Sequence, residues 1–298
     1  MLQPQVSVIT NLDKEHLDYY RDLDHIKETF AHYLRQLPPG ARVAAWKDDP
    51  HLQPILKDTS FELLTYSLNP GADLLATAVK PQGLGTGFRL TYRGQELGPF
   101  SLPLAGAHYV LNAMAACAVG LSLGLDVEVW RQGLKDLGLI HRRCQVKGEA
   151  RGVLVLDDYG HHPAEIAATL TGLSQAFPSR RLVVVFQPHR YTRTRALLPE
   201  FFPVFARAGL VFVTEIYSAG EPRVDGLSGR AIYEGIRQSG HRSVYFLEET
   251  RPLTDSLMNH LLQGDLVLTL GAGDIWKTGE DLLARLAETS GDHTGRRP

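Results

Sequence analysis

Cysteine is nearly missing from this sequence: Cys117 and Cys144 are the two in 298 residues. Two thiols make no disulfide framework, so the fold must rest on an apolar core, and the chain suits a reducing compartment. An excess of charge of either sign is missing too. The formal net charge is −2, which offers no global attraction for nucleic acid or an anionic membrane. No uninterrupted apolar run approaches the ~20 residues that a membrane-spanning helix requires. Met1 to Gln5 lack the basic and apolar regions of a secretory signal. Internal repeats and low-complexity tracts are absent too. These absences point to the cytoplasm, with neither nucleic acid nor membrane as a partner. What is present, 44% apolar and 21% charged residues, is the composition of a globular chain long enough for two domains.

The pattern is α/β. Val6 to Thr10 reads as a buried strand, and Ile26, Phe30, Tyr33, Leu34 and Leu37 repeat at helical spacing. Arg42 to Trp46 is a strand, followed by a short helix near His51 to Lys57. Phe61 to Leu68 and Ala72 to Val79 are strands, and a hairpin turns about Arg93-Gly94. Two helices follow, from Gly106 to Gly124 and from Val127 to Leu137. Gly138 to Gly148 reads as a hinge. Beyond it, strands at 153–157, 182–186, 210–216, 244–248 and 265–270 alternate with helices at 163–176, 194–208, 227–238, 252–262 and 274–288. That alternation predicts a mainly parallel, Rossmann-like sheet. Ser290 to Pro298 reads as a frayed tail.

Two stretches stand at predicted strand-to-helix junctions, the edge of a parallel sheet where ligands bind. One is Asp157-Asp158-Tyr159-Gly160-His161-His162-Pro163, the other Phe186-Gln187-Pro188-His189-Arg190-Tyr191-Thr192-Arg193. Pro163 suits a first helical turn, which sets His161 and His162 beside an anion-favouring helix N-terminus. The adjacent aspartates could accept bonds from a ribose, hold a cation, or simply cap the turn. Arg190 and Arg193 could clamp a carboxylate bidentately, or form a solvated basic helix start. His16, among Asp13, Glu15 and Asp18, could ligate a divalent metal or be structural. His108 and Asn112 lie one above the other on a helix, where Asn112 could read an adenine edge or pack. Gly271 to Thr278 is a near miss to a phosphate-binding loop, with Trp276 where glycine is needed. No Gly-x-x-x-x-Gly-Lys-Ser/Thr occurs among the 298 residues.

In order along the chain, these pieces resemble the Mur ligase family. The resemblance runs through Val8 to Asp18, the His108/Asn112 helix, Arg142-Arg143, Asp157 to Ile166, Phe186 to Arg193 and Gly271 to Asp274. It implies a partial central ATP-binding domain at 1–137 and a Rossmann-like, amino-acid-binding domain at 138–298. The implied activity is ATP-dependent ligation of L-alanine to UDP-N-acetylmuramate through an acyl phosphate, with Mg²⁺, in bacterial peptidoglycan precursor synthesis. By position, His16 is implied as a metal ligand, and His108 and Asn112 as adenine contacts. Arg142 or Arg143 would touch nucleotide phosphate, and Asp158 the ribose. Tyr159, His161, His189, Arg190 and Arg193 would form the amino-acid end, with His161, His189 and Arg190 catalytic. The family's UDP-sugar domain and phosphate-binding loop do not occur in these residues. The expectation is therefore negligible ligation by this chain alone. The open alternatives are one half of a split ligase, completed by an N-terminal half on another chain, and a non-catalytic binding module.

Overall fold

A computed structural model describes residues 3–57, 61–138, 140–248 and 253–288. The expected tail from Ser290 onward lies outside the described residues. The chain divides into two compact units, Met1–Gly138 and Leu139–Pro298. Among the described residues, no helix is long and apolar enough to cross a membrane.

The first unit is a six-stranded sheet in the order β1-β2-β3-β4-β5-β6. Its strands are β1 (Val6–Ile9), β2 (Arg42–Trp46), β3 (Glu62–Ser67), β4 (Leu74–Gln82), β5 (Gly85–Tyr92) and β6 (Gln95–Leu102). β1 to β4 pair in parallel; β4, β5 and β6 are antiparallel. The β5–β6 turn falls at Arg93-Gly94, both at positive φ (47° and 85°), as a tight hairpin turn demands. Helix α1 (Leu23–Arg35) starts where the Asp22 side chain accepts from the His25 amide, and it packs Ile26 and Leu34 against Val43 and Ala45. After the short α2 (Leu52–Ile55) come α3 (Ala107–Ser122) and α4 (Val127–Lys135). The small residues of α3 serve close packing. A Cβ on Gly120 would sit 2.7 Å from the Trp130 indole nitrogen.

The second unit is also six-stranded, in the order β11-β10-β9-β12-β8-β7. Its strands are β7 (Gln145–Ala150), β8 (Val153–Asp158), β9 (Leu182–Phe186), β10 (Leu210–Val213), β11 (Val244–Phe246) and β12 (Leu266–Leu270). All pairs are parallel except β7–β8. Its helices are α5 (Pro163–Ala176), α6 (Tyr191–Ala196), α7 (Leu198–Phe201), α8 (Gly229–Gln238), α9 (Leu253–Met258) and α10 (Trp276–Glu288). Two expectations are corrected. The end of the predicted hinge is the start of β7, a half-exposed edge strand with a register shift between Val146 and Gly148. Lacking a buried apolar run, it gave no signal. The single helix expected at 194–208 is instead α6, α7 and a 3₁₀ turn at Val204–Arg207. Pro199 and Pro203 lack the N–H groups that a continuous helix needs.

Apolar side chains cover both faces of this sheet, as a parallel sheet requires. Val155, Val183, Phe212 and Val267 meet Leu282 on one face. On the other, Phe186 packs its ring 5.6 Å from Phe201 and 5.2 Å from Phe205. β12 lies between β8 and β9, although both precede it in the chain. The loops that leave the carboxyl ends of these three strands therefore meet at one edge.

Candidate functional site

That edge gathers most of the second unit's expected site residues. Gln187 to Arg190 leave β9, and the His189–Tyr217 bridge ties this loop to the one leaving β10. The Arg190 amide donates to the Tyr217 carbonyl (2.8 Å), and the Tyr217 amide donates to Pro188 (2.8 Å). The His189 and Tyr217 rings stack at 5.7 Å, 9° from parallel. His161 comes from the β8 loop, its ring 5.8 Å from His189 and 5.3 Å from Tyr159.

Hydrogen bonds assign the two imidazoles opposite tautomers. Arg193 Nη1 lies 3.2 Å from His189 Nδ1. A guanidinium can only donate, so Nδ1 accepts and the neutral ring carries its proton on Nε2. His161 Nδ1 lies 3.1 Å from the Tyr159 carbonyl. A carbonyl can only accept, so this ring is protonated at Nδ1 and, when neutral, has a basic Nε2. Burial, the Arg193 charge, and the His161 and Arg190 charges push the His189 pKa down to about 4. The folded state thus resists protonation that the unfolded chain accepts near pH 6.5. His189 contributes stability that is fully present above that pH and is lost as pH falls through about 4. Imidazole NMR should find this ring neutral at pH 5; a midpoint at or above 6.5 would contradict the arrangement.

Arg190 caps α6 with left-handed backbone (φ 68°). Its guanidinium lies 3.9 Å from Glu221. Arg190 thus stands at the helix N-cap, and Arg193 follows three residues on, within α6. Glu221 itself was invisible in sequence. It accepts from the Thr192 amide (3.0 Å) and hydroxyl (2.6 Å). Burial alone would raise its pKa. Bonds from Thr192 and the Tyr191 backbone, with the Arg190 charge, outweigh that and hold the carboxyl below the usual range. The available signal was topological, since the loop after every parallel strand lands on this edge.

Two expected ligand contacts, Arg142 and Asp158, are tied into the fold. Arg142 Nε lies 3.0 Å from Asp157, and its guanidinium also donates to the Gly271 and Gly273 carbonyls and covers the Tyr159 ring. Arg143 is less engaged, 3.9 Å from Glu165, and is the better candidate of the two for a phosphate. Asp158, expected at a ribose, is 1% exposed and accepts from the Cys144 and Gly160 amides, both at 2.8 Å. Burial raises its pKa against the opposing effect of those amides. The carboxylate builds the turn rather than presenting itself to a ligand. The α5 N-terminus is likewise filled from within. Glu165 accepts from the His161 and His162 amides, and the His162 ring caps Ala164.

In the first unit, His16 is exposed on the loop after β1, at φ 52°. Among the described residues, no group of three His, Cys, Asp or Glu side chains converges to hold a metal. The described residues therefore do not fit a protein-built Mg²⁺ cage, and His16 is one isolated candidate donor. His108 and Asn112 occupy the first turns of α3, half-buried and exposed respectively. The His108 ring lies 4.0 Å from that of Tyr109.

Two α/β units, each on a mainly parallel mixed sheet, are the fold of a known family. The Mur ligase middle domain matches residues 1–120, and the Mur ligase, glutamate ligase domain matches residues 142–273. The chain belongs to the Mur ligase family, as its middle and C-terminal domains. It is 43% identical over 291 residues to UDP-N-acetylmuramate–L-alanine ligase of Syntrophobacter fumaroxidans, covering 98% of this chain and 62% of that protein. With the Trichlorobacter lovleyi enzyme of the same name the identity is 42%, over 96% of this chain and 63% of the relative. The chain thus spans less than two thirds of these curated relatives. The crystal structure of the Thermotoga maritima UDP-N-acetylmuramate-alanine ligase MurC superposes with a TM-score of 0.75 at 24% identity, over 97% of this chain and 61% of that one. MurF from Thermotoga maritima, solved with ADP, gives 0.75 at 20% identity, over 96% and 63%.

Proposed function

We propose that these residues supply the adenine-contacting helix and the amino-acid-binding domain of a UDP-N-acetylmuramate–L-alanine ligase. The carrying observation is the convergence of Arg190, Arg193, neutral His189 and His161 at one sheet edge. The relatives' shared name supplies the substrate. Mur ligases use ATP and Mg²⁺ generally. On this chain, His108 and Asn112 would meet the adenine, Arg143 a phosphate, and His16 would offer the ion one ligand.

Arg190 and Arg193 take the L-alanine carboxylate, and the Nε2–H of His189 adds a neutral donor. Holding the carboxylate aims the amine at an activated acyl group, which is catalysis by orientation. The attacking ammonium must lose a proton, and the basic Nε2 of His161 can accept it. Tyr159 packs against His161 and sets the ring's position. A small pocket discriminates weakly among L-alanine, glycine and L-serine, because one methylene is worth only about 1–3 kcal/mol.

Phosphoryl transfer also needs a phosphate cradle, and no such loop occurs in these residues. The 298-residue chain, given ATP, Mg²⁺, UDP-N-acetylmuramate and L-alanine, should release phosphate only at background. A separate polypeptide that supplies the cradle would restore turnover. Calorimetry should detect L-alanine binding to the chain, weakened at least tenfold in Arg190→Ala and in Arg193→Ala. Binding that survives both substitutions unchanged, or no binding at all, would refute the assignment of the amino-acid end.

A further inference from the structure

At the opposite end of the second sheet, where its parallel strands begin, lies a cavity of about 250 Å³. Leu173 and Phe177 at the end of α5, with Leu182 and Leu266 at the starts of β9 and β12, give it an apolar floor. Arg180, Arg181 and Arg207 line the same space. None of these residues belongs to the site above.

The arginines are not equivalent. Arg180 donates to the Gly152 and Asp265 carbonyls and pairs with Glu149 at 2.9 Å. Arg181 forks onto buried Asp265 through Nε (2.9 Å) and Nη2 (2.7 Å), and also donates to the His260 carbonyl. Those pairs cancel two positive charges. Arg181 Nη1 makes no hydrogen bond among the described residues, and the exposed Arg207 makes no hydrogen bond or ion pair there. One net positive charge and a set of spare guanidinium donors thus remain on an apolar wall. Gly209 belongs to this arrangement. A Cβ there would sit 2.7 Å from Arg181 Cγ, so only glycine lets the arginine stem lie across it.

We propose that this cavity binds a small amphipathic anion, an oxyanion head on a compact apolar body. The head would take the spare donors of Arg181 and Arg207, whose planar forks match carboxylate and phosphoryl oxygens. The body would lie on Leu173 and Phe177. The cavity's size agrees, since it equals roughly eight waters at their liquid volume and is too roomy for a bare ion.

The test is an NMR titration of the 298-residue chain with phenylphosphonate, benzoate and inorganic phosphate. Phenylphosphonate or benzoate should shift Phe177, Arg181 and Gly209 and leave His189 and Tyr217 unmoved, at least tenfold more tightly than inorganic phosphate. The tighter of the two organic probes identifies the head as phosphoryl or carboxyl. Arg207→Ala should weaken that binding about tenfold with an unchanged melting temperature, and Arg207→Lys should restore part of it. Three results would each overturn the proposal: no shifts at millimolar probe, equal affinity for inorganic phosphate, or an Arg207→Ala variant that binds like the wild type.

Discussion

Arg142→Ala is expected to destabilise the second unit by about 3–5 kcal/mol, enough to unfold many domains. Asp157 is fully buried and holds two partners, Arg142 Nε at 3.0 Å and the Thr269 hydroxyl at 2.7 Å. Removing the guanidinium strands that carboxylate in the interior. It also strips a donor from the Gly271 and Gly273 carbonyls. Arg142→Lys should recover only part of the loss, because an ammonium cannot span the carboxylate and two carbonyls at once. Urea unfolding followed by tryptophan fluorescence would measure it. A cost below about 1 kcal/mol would mean that Arg142 is free to serve a ligand after all.

Gly229→Ala is the second large effect, and its sign opposes helix propensity. In a helical position alanine usually gains about 1 kcal/mol over glycine. At Gly229, the first residue of α8, a Cβ would lie 1.9 Å from the Thr214 carbonyl oxygen and 2.9 Å from its carbon. Those are backbone atoms just past β10, with no rotamer to yield. The Gly229 amide also donates to Glu215 at 3.1 Å, which fixes the approach. The cost should exceed the ~1–3 kcal/mol usual for overpacking. Gly133→Ala, in α4 with nothing within 4 Å of the added carbon, is the control and should stabilise. A melting temperature that rises in both variants would show that α8 can move away from β10.

The legible parts of this fold were those with a strong apolar period. β9 is Leu-Val-Val-Val-Phe, buried throughout, and both it and α5 carry the bounds expected from sequence. β7 was illegible because an edge strand needs no buried face, and α6 and α7 merged because apolar spacing continues across Pro199 and Pro203. The site divided in the same way. Polar clusters at strand ends drew attention to His161, His189, Arg190 and Arg193. They could not separate ligand-facing groups from those tied into the turn. Asp158 and Arg142 carry the same chemistry as a ribose or phosphate contact, and only their partners reveal their use. Glu221 escaped because its role depends on Thr192, 29 residues away.

The neutral state of His189 has a calorimetric consequence. A ring that titrates near 4 has no proton to gain or lose across the near-neutral range. An anion seated against its Nε2–H would therefore draw no proton from solvent through this residue. The heat of that step would carry no buffer contribution from His189, so any difference between phosphate and Tris, two buffers of very different ionisation enthalpy, would come from other groups.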